Sequence, residues 1–142
     1  MDVARKATIL ARLAGFPCAD QPVDLVGLVD ANKTGLPLEE LFSHLATLDD
    51  DFQNQVDRAK EKGCVLRFVA EVTPSSIRVG PVSVPKESPL GRLEGSDNMI
   101  VFTSDRYNDR PLVITGPGAG IDVTAMGVLG DILRIAAERR QP

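Results

Sequence analysis

The chain has 142 residues, of which 43% are hydrophobic and 25% charged, the balance of one ordinary globular domain. Its net charge of −4 argues against a nucleic-acid or anionic-membrane partner. No apolar run reaches the ~18 residues that a membrane-spanning helix needs. Arg5, Lys6 and Arg12 interrupt the first apolar stretch, which therefore does not read as a signal peptide. Cys18 and Cys64 fit no metal or redox spacing and read as reduced thiols of a cytoplasmic protein. Five Phe, one Tyr and no Trp leave little for stacking on bases or sugars.

Residues 1–14 are rich in Ala and Leu and predict a helix that Gly15 and Pro17 stop. Asp2 and Lys6 are spaced i, i+4 and lie on one stripe with Ile9 and Leu13, while Arg5, Thr8 and Arg12 lie on a polar side. Two readings are open for the pair. One is a helix-surface ion pair worth a few tenths of a kcal/mol (~0.3). The other is a lysine on the inward stripe, poised by partial burial and a neighbouring carboxylate for acid–base chemistry. Val23 to Val29 predicts a strand between turns, and Leu38 to Leu48 a short helix with Leu41, Leu45 and Leu48 on its apolar face. His44 falls in that helix with no Cys or other His beside it and reads as a surface histidine. Asp49, Asp50 and Asp51 read as a cap and acidic first turn for a helix over 50–62, not as a metal cluster. Phe52, Val56 and Ala59 form its buried stripe and Gly63 its C′ residue.

From Cys64 the period changes to two. Cys64, Leu66, Phe68, Ala70 and Val72 alternate with Arg67, Glu71 and Thr73, and Pro74 to Ser76 turn into a second strand over 77–84, giving a hairpin. Residues 85–95 are irregular, anchored by Leu90 and Leu93. A strand over 99–104 follows. Leu112, Val113 and Ile114 then predict a short strand covered on both faces. Gly116, Gly118 and Gly120 make a turn into a helix in which Asp131, Arg134 and Glu138 form one narrow charged stripe, so the helix is expected to be mostly buried. Asp122 or Thr124 can serve its N-terminal end. The free amides of such a turn can hold an anion, but Gly-x-Gly-x-Gly is not the Gly-x-Gly-x-x-Gly dinucleotide fingerprint; a strand-to-helix turn without a ligand fits equally. The fold class is α+β: a mixed, largely antiparallel sheet covered by helices.

Asp2-Val-Ala-Arg-Lys6, Gly95-Ser-Asp-Asn98 before a strand, and Pro111 through Gly120 with Val123-Thr-Ala125 resemble, in order and spacing, the C-terminal half of homoserine dehydrogenase. Val65-Leu-Arg-Phe68 also falls where that family has a strand. The resemblance covers nearly the whole chain and is least distinctive over 15–62. It implies an NADP- or NAD-dependent interconversion of L-homoserine and L-aspartate 4-semialdehyde in a cytoplasmic homodimer. It further implies that Lys6 is the acid–base group, that Asp2 binds substrate, and that Gly120, with Gly118 beside it, touches the dinucleotide. Residues 1–115 would then be the substrate-binding, catalytic and dimerisation region. Residues 116–142 would be the glycine turn and a helix packing on a nucleotide-binding domain.

The family's first half carries the main dinucleotide fold, a second substrate-binding acidic residue, another lysine and a monovalent-cation site. None of these is found in this sequence, so the expectation is an inactive chain when alone, whether a fragment or a short product. The competing expectation is a non-catalytic oligomerisation module derived from the same enzyme.

Overall fold

Alanine decides how the first helix packs. In this computed structural model, which describes residues 2–33 and 35–139, helix α1 (Asp2–Leu13) buries Ala4, Ala7 and Ala11. At 3.6 residues per turn these three share one face, and their short side chains let the helix axis lie close to what it covers. What it covers is a hairpin. An edge strand β1 (Asp24–Leu25), the helices α2 (Leu38–Ala46) and α3 (Asp49–Glu61), and the strands β2 (Cys64–Val72) and β3 (Ile77–Pro85) complete the first of two compact units, Met1–Gly91. Ala4, Ala7 and Ala11 pack with Cys18, Ala19, Ile77 and Val79, and Phe16, Val23, Ala70 and Val72 close the cluster. Burying Ile77 and Val79 is worth about 1.5–3 kcal/mol each. The thiol of Cys18 is buried with them and donates to the Thr73 carbonyl at 3.0 Å.

The sheet of this unit has the order β1–β3–β2, with β1 parallel to β3 and β2 antiparallel to it, so it is mixed. The period-two reading of the hairpin holds: Cys64 pairs with Pro85 and Val72 with Ile77, without a bulge between. Strand β1 is much shorter than the 23–29 stretch predicted. Val26 still donates to the Val79 carbonyl at 2.8 Å, but the chain bends over Leu28 and Val29, so that a Cβ on Gly27 would stand 2.8 Å from the Val29 carbonyl oxygen. Val26 passes so close to β3 that a Cβ at Gly80 would lie 2.9 Å from its own Cβ. The acidic run Asp49–Asp51 fills the first turn of α3 as expected from the helix dipole. It makes no side-chain cap; Leu48 is the N-cap residue. Gly63 ends α3 at φ 66°, the left-handed C′ position. Helix α2 turns Leu41 and Leu45 inward, and Leu48 at the start of α3 is half-buried with them. No described helix is long and apolar enough to cross a membrane.

The second unit, Arg92–Pro142, is an antiparallel pair, β4 (Asp97–Phe102) with β5 (Leu112–Pro117), followed by helix α4 (Ile121–Glu138). The element order matches the sequence reading, and the class is α+β. Two expectations fail here. Leu112 and Ile114 are exposed rather than covered on both faces, and α4 buries no residue. The narrow charged stripe on α4 is real: Arg134 pairs with Asp131 at 3.0 Å. Its broad apolar remainder, including Ile121 at 90% exposure, lies open. A narrow polar stripe reports what a helix is built to bury, not whether the described residues bury it.

The loop after β3 is fixed by a buried glycine. Arg67 donates from Nε to the Leu90 carbonyl at 3.2 Å and from Nη2 to the Gly91 carbonyl at 2.9 Å. A Cβ on Gly91 would collide with the Pro85 carbonyl oxygen and stand 2.7 Å from that of Lys86, both backbone atoms. Gly91→Ala should therefore destabilise the chain by about 1–3 kcal/mol, the usual cost of overpacking. Gly35→Ala, where nothing lies within 4 Å, is the control. Urea denaturation of both variants checks it; equal midpoints would contradict the packing argument.

Candidate active site

The face of α1 opposite the alanines carries Asp2, Lys6, Ile9 and Leu13. It is the outward face, not the inward one the sequence suggested. Rotation of about 100° per residue places the two stripes on opposite sides of the helix. The hairpin selects the small side chains, leaving the larger stripe open, with Leu13 at 80% exposure. Lys6 Nζ lies 2.8 Å from Asp2 Oδ2, and the side chains are 69% and 74% exposed. The hydrogen bond from Lys6, and then its charge, hold the Asp2 carboxyl below its ordinary value. A carboxylate accepts about four hydrogen bonds and an ammonium donates three, so one contact leaves both groups able to bind a further partner.

The helix therefore has two apolar faces, a covered one of alanines and an open one of Ile9 and Leu13 that frames a charged pair. A solvated surface ion pair is usually framed by polar residues. A helix apolar on two sides is one built to lie between two layers.

In the second unit, Gly116, Gly118 and Gly120 stand in different surroundings. Nothing lies within 4 Å of a Cβ on Gly116. Beside Gly118 stands only the carboxamide of Asn98, the far end of an exposed side chain that could turn aside for a Cβ. At Gly120 conformation decides: φ 156° with ψ 153° is a region essentially restricted to glycine, while the nearest atom to a Cβ, Val123 Cγ2, lies at an ordinary 3.8 Å. Gly120 is the N-cap residue of α4. Neither Asp122 nor Thr124 closes the helix end with a side-chain cap; Asp122 only adds charge to the first turn. The first-turn amides are therefore left without a side-chain acceptor, as an anion-holding turn requires.

Two further features of the first unit involve neither Asp2 nor Lys6. His44 is half-buried on α2. An open apolar groove of about 380 Å³ lies between α2, α3 and the hairpin, with Leu45, Leu48, Phe52 and Phe68 among its walls and only Asp49 and Arg67 charged. Periodicity could not reveal that groove, because the same leucines also read as ordinary helix-packing positions.

Comparison with known proteins bears on both glycine turn and ion pair. The family described as homoserine dehydrogenase matches residues 1–133. Homoserine dehydrogenase of Schizosaccharomyces pombe is 39% identical, over 99% of this chain and 38% of its own length. The chloroplastic bifunctional aspartokinase/homoserine dehydrogenase 1 of Arabidopsis thaliana is 41% identical, over 95% of this chain and 15% of its own length. A crystal structure of a Candida auris protein of unknown function superposes with a TM-score of 0.84 at 38% identity, over 96% of this chain and 39% of that one. The chain thus spans about two fifths of the fungal relatives and a much smaller part of the fused plant enzyme. A match that runs from residue 1 to 133, through the Asp2–Lys6 helix and the glycine turn alike, assigns this chain to the homoserine dehydrogenase family.

Proposed function

We propose that this chain supplies the proton-transfer and substrate-holding side chains of an NADP- or NAD-dependent homoserine dehydrogenase. The reaction interconverts L-homoserine and L-aspartate 4-semialdehyde, on the way to threonine and methionine. The observation that carries the reading is the 2.8 Å Lys6–Asp2 pair on a face edged by open apolar side chains.

Oxidising the alcohol requires removal of the hydroxyl proton as the carbon loses hydride; reducing the aldehyde requires a proton on the same oxygen. Lys6 moves that proton, accepting it as the neutral amine and returning it as the ammonium. Asp2 keeps acceptor capacity beyond its contact with Lys6, which suits the ammonium group of homoserine. Ile9 and Leu13 give a second layer an apolar surface to close on. Closure would exclude water from Lys6, and desolvation is what brings a lysine into range for base chemistry.

The nicotinamide, when bound, exchanges the hydride. Gly118, Gly120 and the open amides of α4 fit a contact with the dinucleotide's phosphate or ribose edge. They do not fit its main cradle, since no strand–turn–helix–strand unit is formed among the described residues. The reading therefore makes residues 1–115 the substrate, catalytic and dimerisation region and residues 116–142 the element that packs on a nucleotide-binding layer. It places the enzyme in the cytoplasm as a homodimer and makes these 142 residues inactive by themselves. The open apolar face of α4 is also what favours the second reading, a non-catalytic module that associates through this helix.

In a complete dehydrogenase carrying this segment, Lys6→Ala should lower turnover by about 10²–10⁴, the worth of a positioned acid–base group. Turnover within about threefold of the parent would leave Lys6 as a surface partner of Asp2 and favour the second reading. Gly120→Val should raise the Michaelis constant for the cofactor more than that for homoserine, because valine cannot adopt this backbone conformation without strain of about 1–3 kcal/mol. Separate Michaelis constants check it; a rise confined to homoserine would assign the turn to the other ligand.

A further inference from the structure

We infer that Arg67 is a positioning residue for the reaction, gripping the peptide by which the chain passes from the first unit to the second. The inference rests on the proposed function, which puts proton transfer at Lys6 in Met1–Gly91 and a cofactor contact at Gly120 in Arg92–Pro142. On that reading the reaction draws on both units, and the chain passes between them once, at the Gly91–Arg92 peptide.

Arg67 stands mid-strand on β2, opposite Val82 of β3. Its Nε donates to the Leu90 carbonyl at 3.2 Å and its Nη2 to the Gly91 carbonyl, 24 residues further along the chain, at 2.9 Å. The Gly91 carbonyl is one half of the peptide that crosses between the units. A peptide is planar, so the direction of its C=O also sets the direction in which the chain goes on to Arg92. Two successive carbonyls held by one rigid, charged fork leave that direction little freedom. A lysine ammonium, a point charge on a flexible stem, has no such fork.

The other flank of Gly91 is closed. Gly91 is buried, and a Cβ on it would collide with the Pro85 carbonyl oxygen and crowd that of Lys86. Both are backbone atoms, and their segment is itself tied down. Ser88 N donates to the Pro85 carbonyl at 2.9 Å, Gly91 N to Ser88 Oγ at 3.1 Å, and Lys86 N to the Gly63 carbonyl at 3.0 Å. Residues 85–91 are thus joined to the start of the hairpin at Lys86 and to its middle, through Arg67, at Gly91. Packing holds Gly91 in place; the fork adds a direction to the chain that leaves it.

The test is the rate of a single turnover in a complete dehydrogenase carrying this segment. Enzyme is in excess of NADP, homoserine is saturating, and the appearance of NADPH fluorescence is read. The rate constant obtained in this way does not depend on the fraction of enzyme that is folded; the amplitude does. Arg67→Met should lower the rate constant about a hundredfold and Arg67→Lys about tenfold, since a misplacement of about 1 Å is enough for such losses. The dissociation constant of NADPH and the Michaelis constant of homoserine should stay within about twofold of the parent, as when binding of each ligand is kept and only their alignment is lost. Arg78→Lys, on the neighbouring strand, alters an exposed arginine paired with Asp24 inside the first unit and should match the parent.

A lower amplitude at an unchanged rate constant would make Arg67 a stabilising residue only and overturn the inference. A loss confined to either ligand's binding would overturn it as well. In both cases a Lys6→Ala enzyme slower than the parent would leave the proposed function standing. Lys6→Ala at the parent's rate would sink the inference together with that function. Should Arg67→Met not fold, Arg67→Lys decides alone, because it keeps the stem and the charge and loses only the fork.

Discussion

The close packing of Ala4, Ala7 and Ala11 on the β2–β3 hairpin is the contact on which the proposed chemistry depends. It fixes the rotation of α1 about its own axis. Once the alanines face Ile77 and Val79, Asp2 and Lys6 must face the other way, because the two stripes lie on opposite sides of the helix. A larger residue at Ala7 or Ala11, which are 1% and 0% exposed, would lift the helix and move the ion pair with it. The position of the Lys6 nitrogen is thus set by methyl groups on the far side of its helix. A displacement of about 1 Å at such a nitrogen can cost a hundredfold in rate.

The exposed apolar surfaces form a consistent set. Ile9 and Leu13 flank the ion pair, and α4 carries an apolar face bounded by one charged stripe. Single exposed leucines need no explanation, but contiguous faces on two helices do. Each surface adjoins a residue proposed above for chemistry: Lys6 on one helix, Gly120 at the start of the other. Covering either surface would bury apolar area, and at α1 it would also remove water from the Lys6–Asp2 pair. In that arrangement folding energy and catalytic desolvation arise from the same contact.

Much of the fold could be read in the sequence, for reasons that are local. The β2–β3 hairpin follows from strict alternation, α3 from its acidic start and Gly63, and the order of the α-helices and strands among the described residues from turn residues between periodic runs. What could not be read depended on a choice among partners. Periodicity singled out the stripe of Ile9 and Leu13 on α1 as the inward one and passed over the alanines that meet the hairpin, since an alanine stripe looks weak beside larger side chains. The strand expected over 23–29 is two residues long, because the chain leaves the sheet after Val26 and bends over Leu28 and Val29, a geometric fact that composition does not carry. At the glycine turn the sequence showed three equivalent residues. Only the folded backbone separates Gly120, which needs its own conformation, from Gly116 and Gly118, which do not.

The central claim is that these residues hold the proton-transfer pair but not the means to hold the dinucleotide for reaction. Its most direct test uses the 142-residue chain by itself. The chain would be titrated with NADPH by fluorescence and assayed for homoserine-dependent reduction of NAD and NADP at high protein concentration. The account predicts no turnover and no saturable binding in the micromolar range, since one glycine turn offers a few amides and no cradle. Saturable micromolar binding, with turnover abolished by Lys6→Ala, would contradict it.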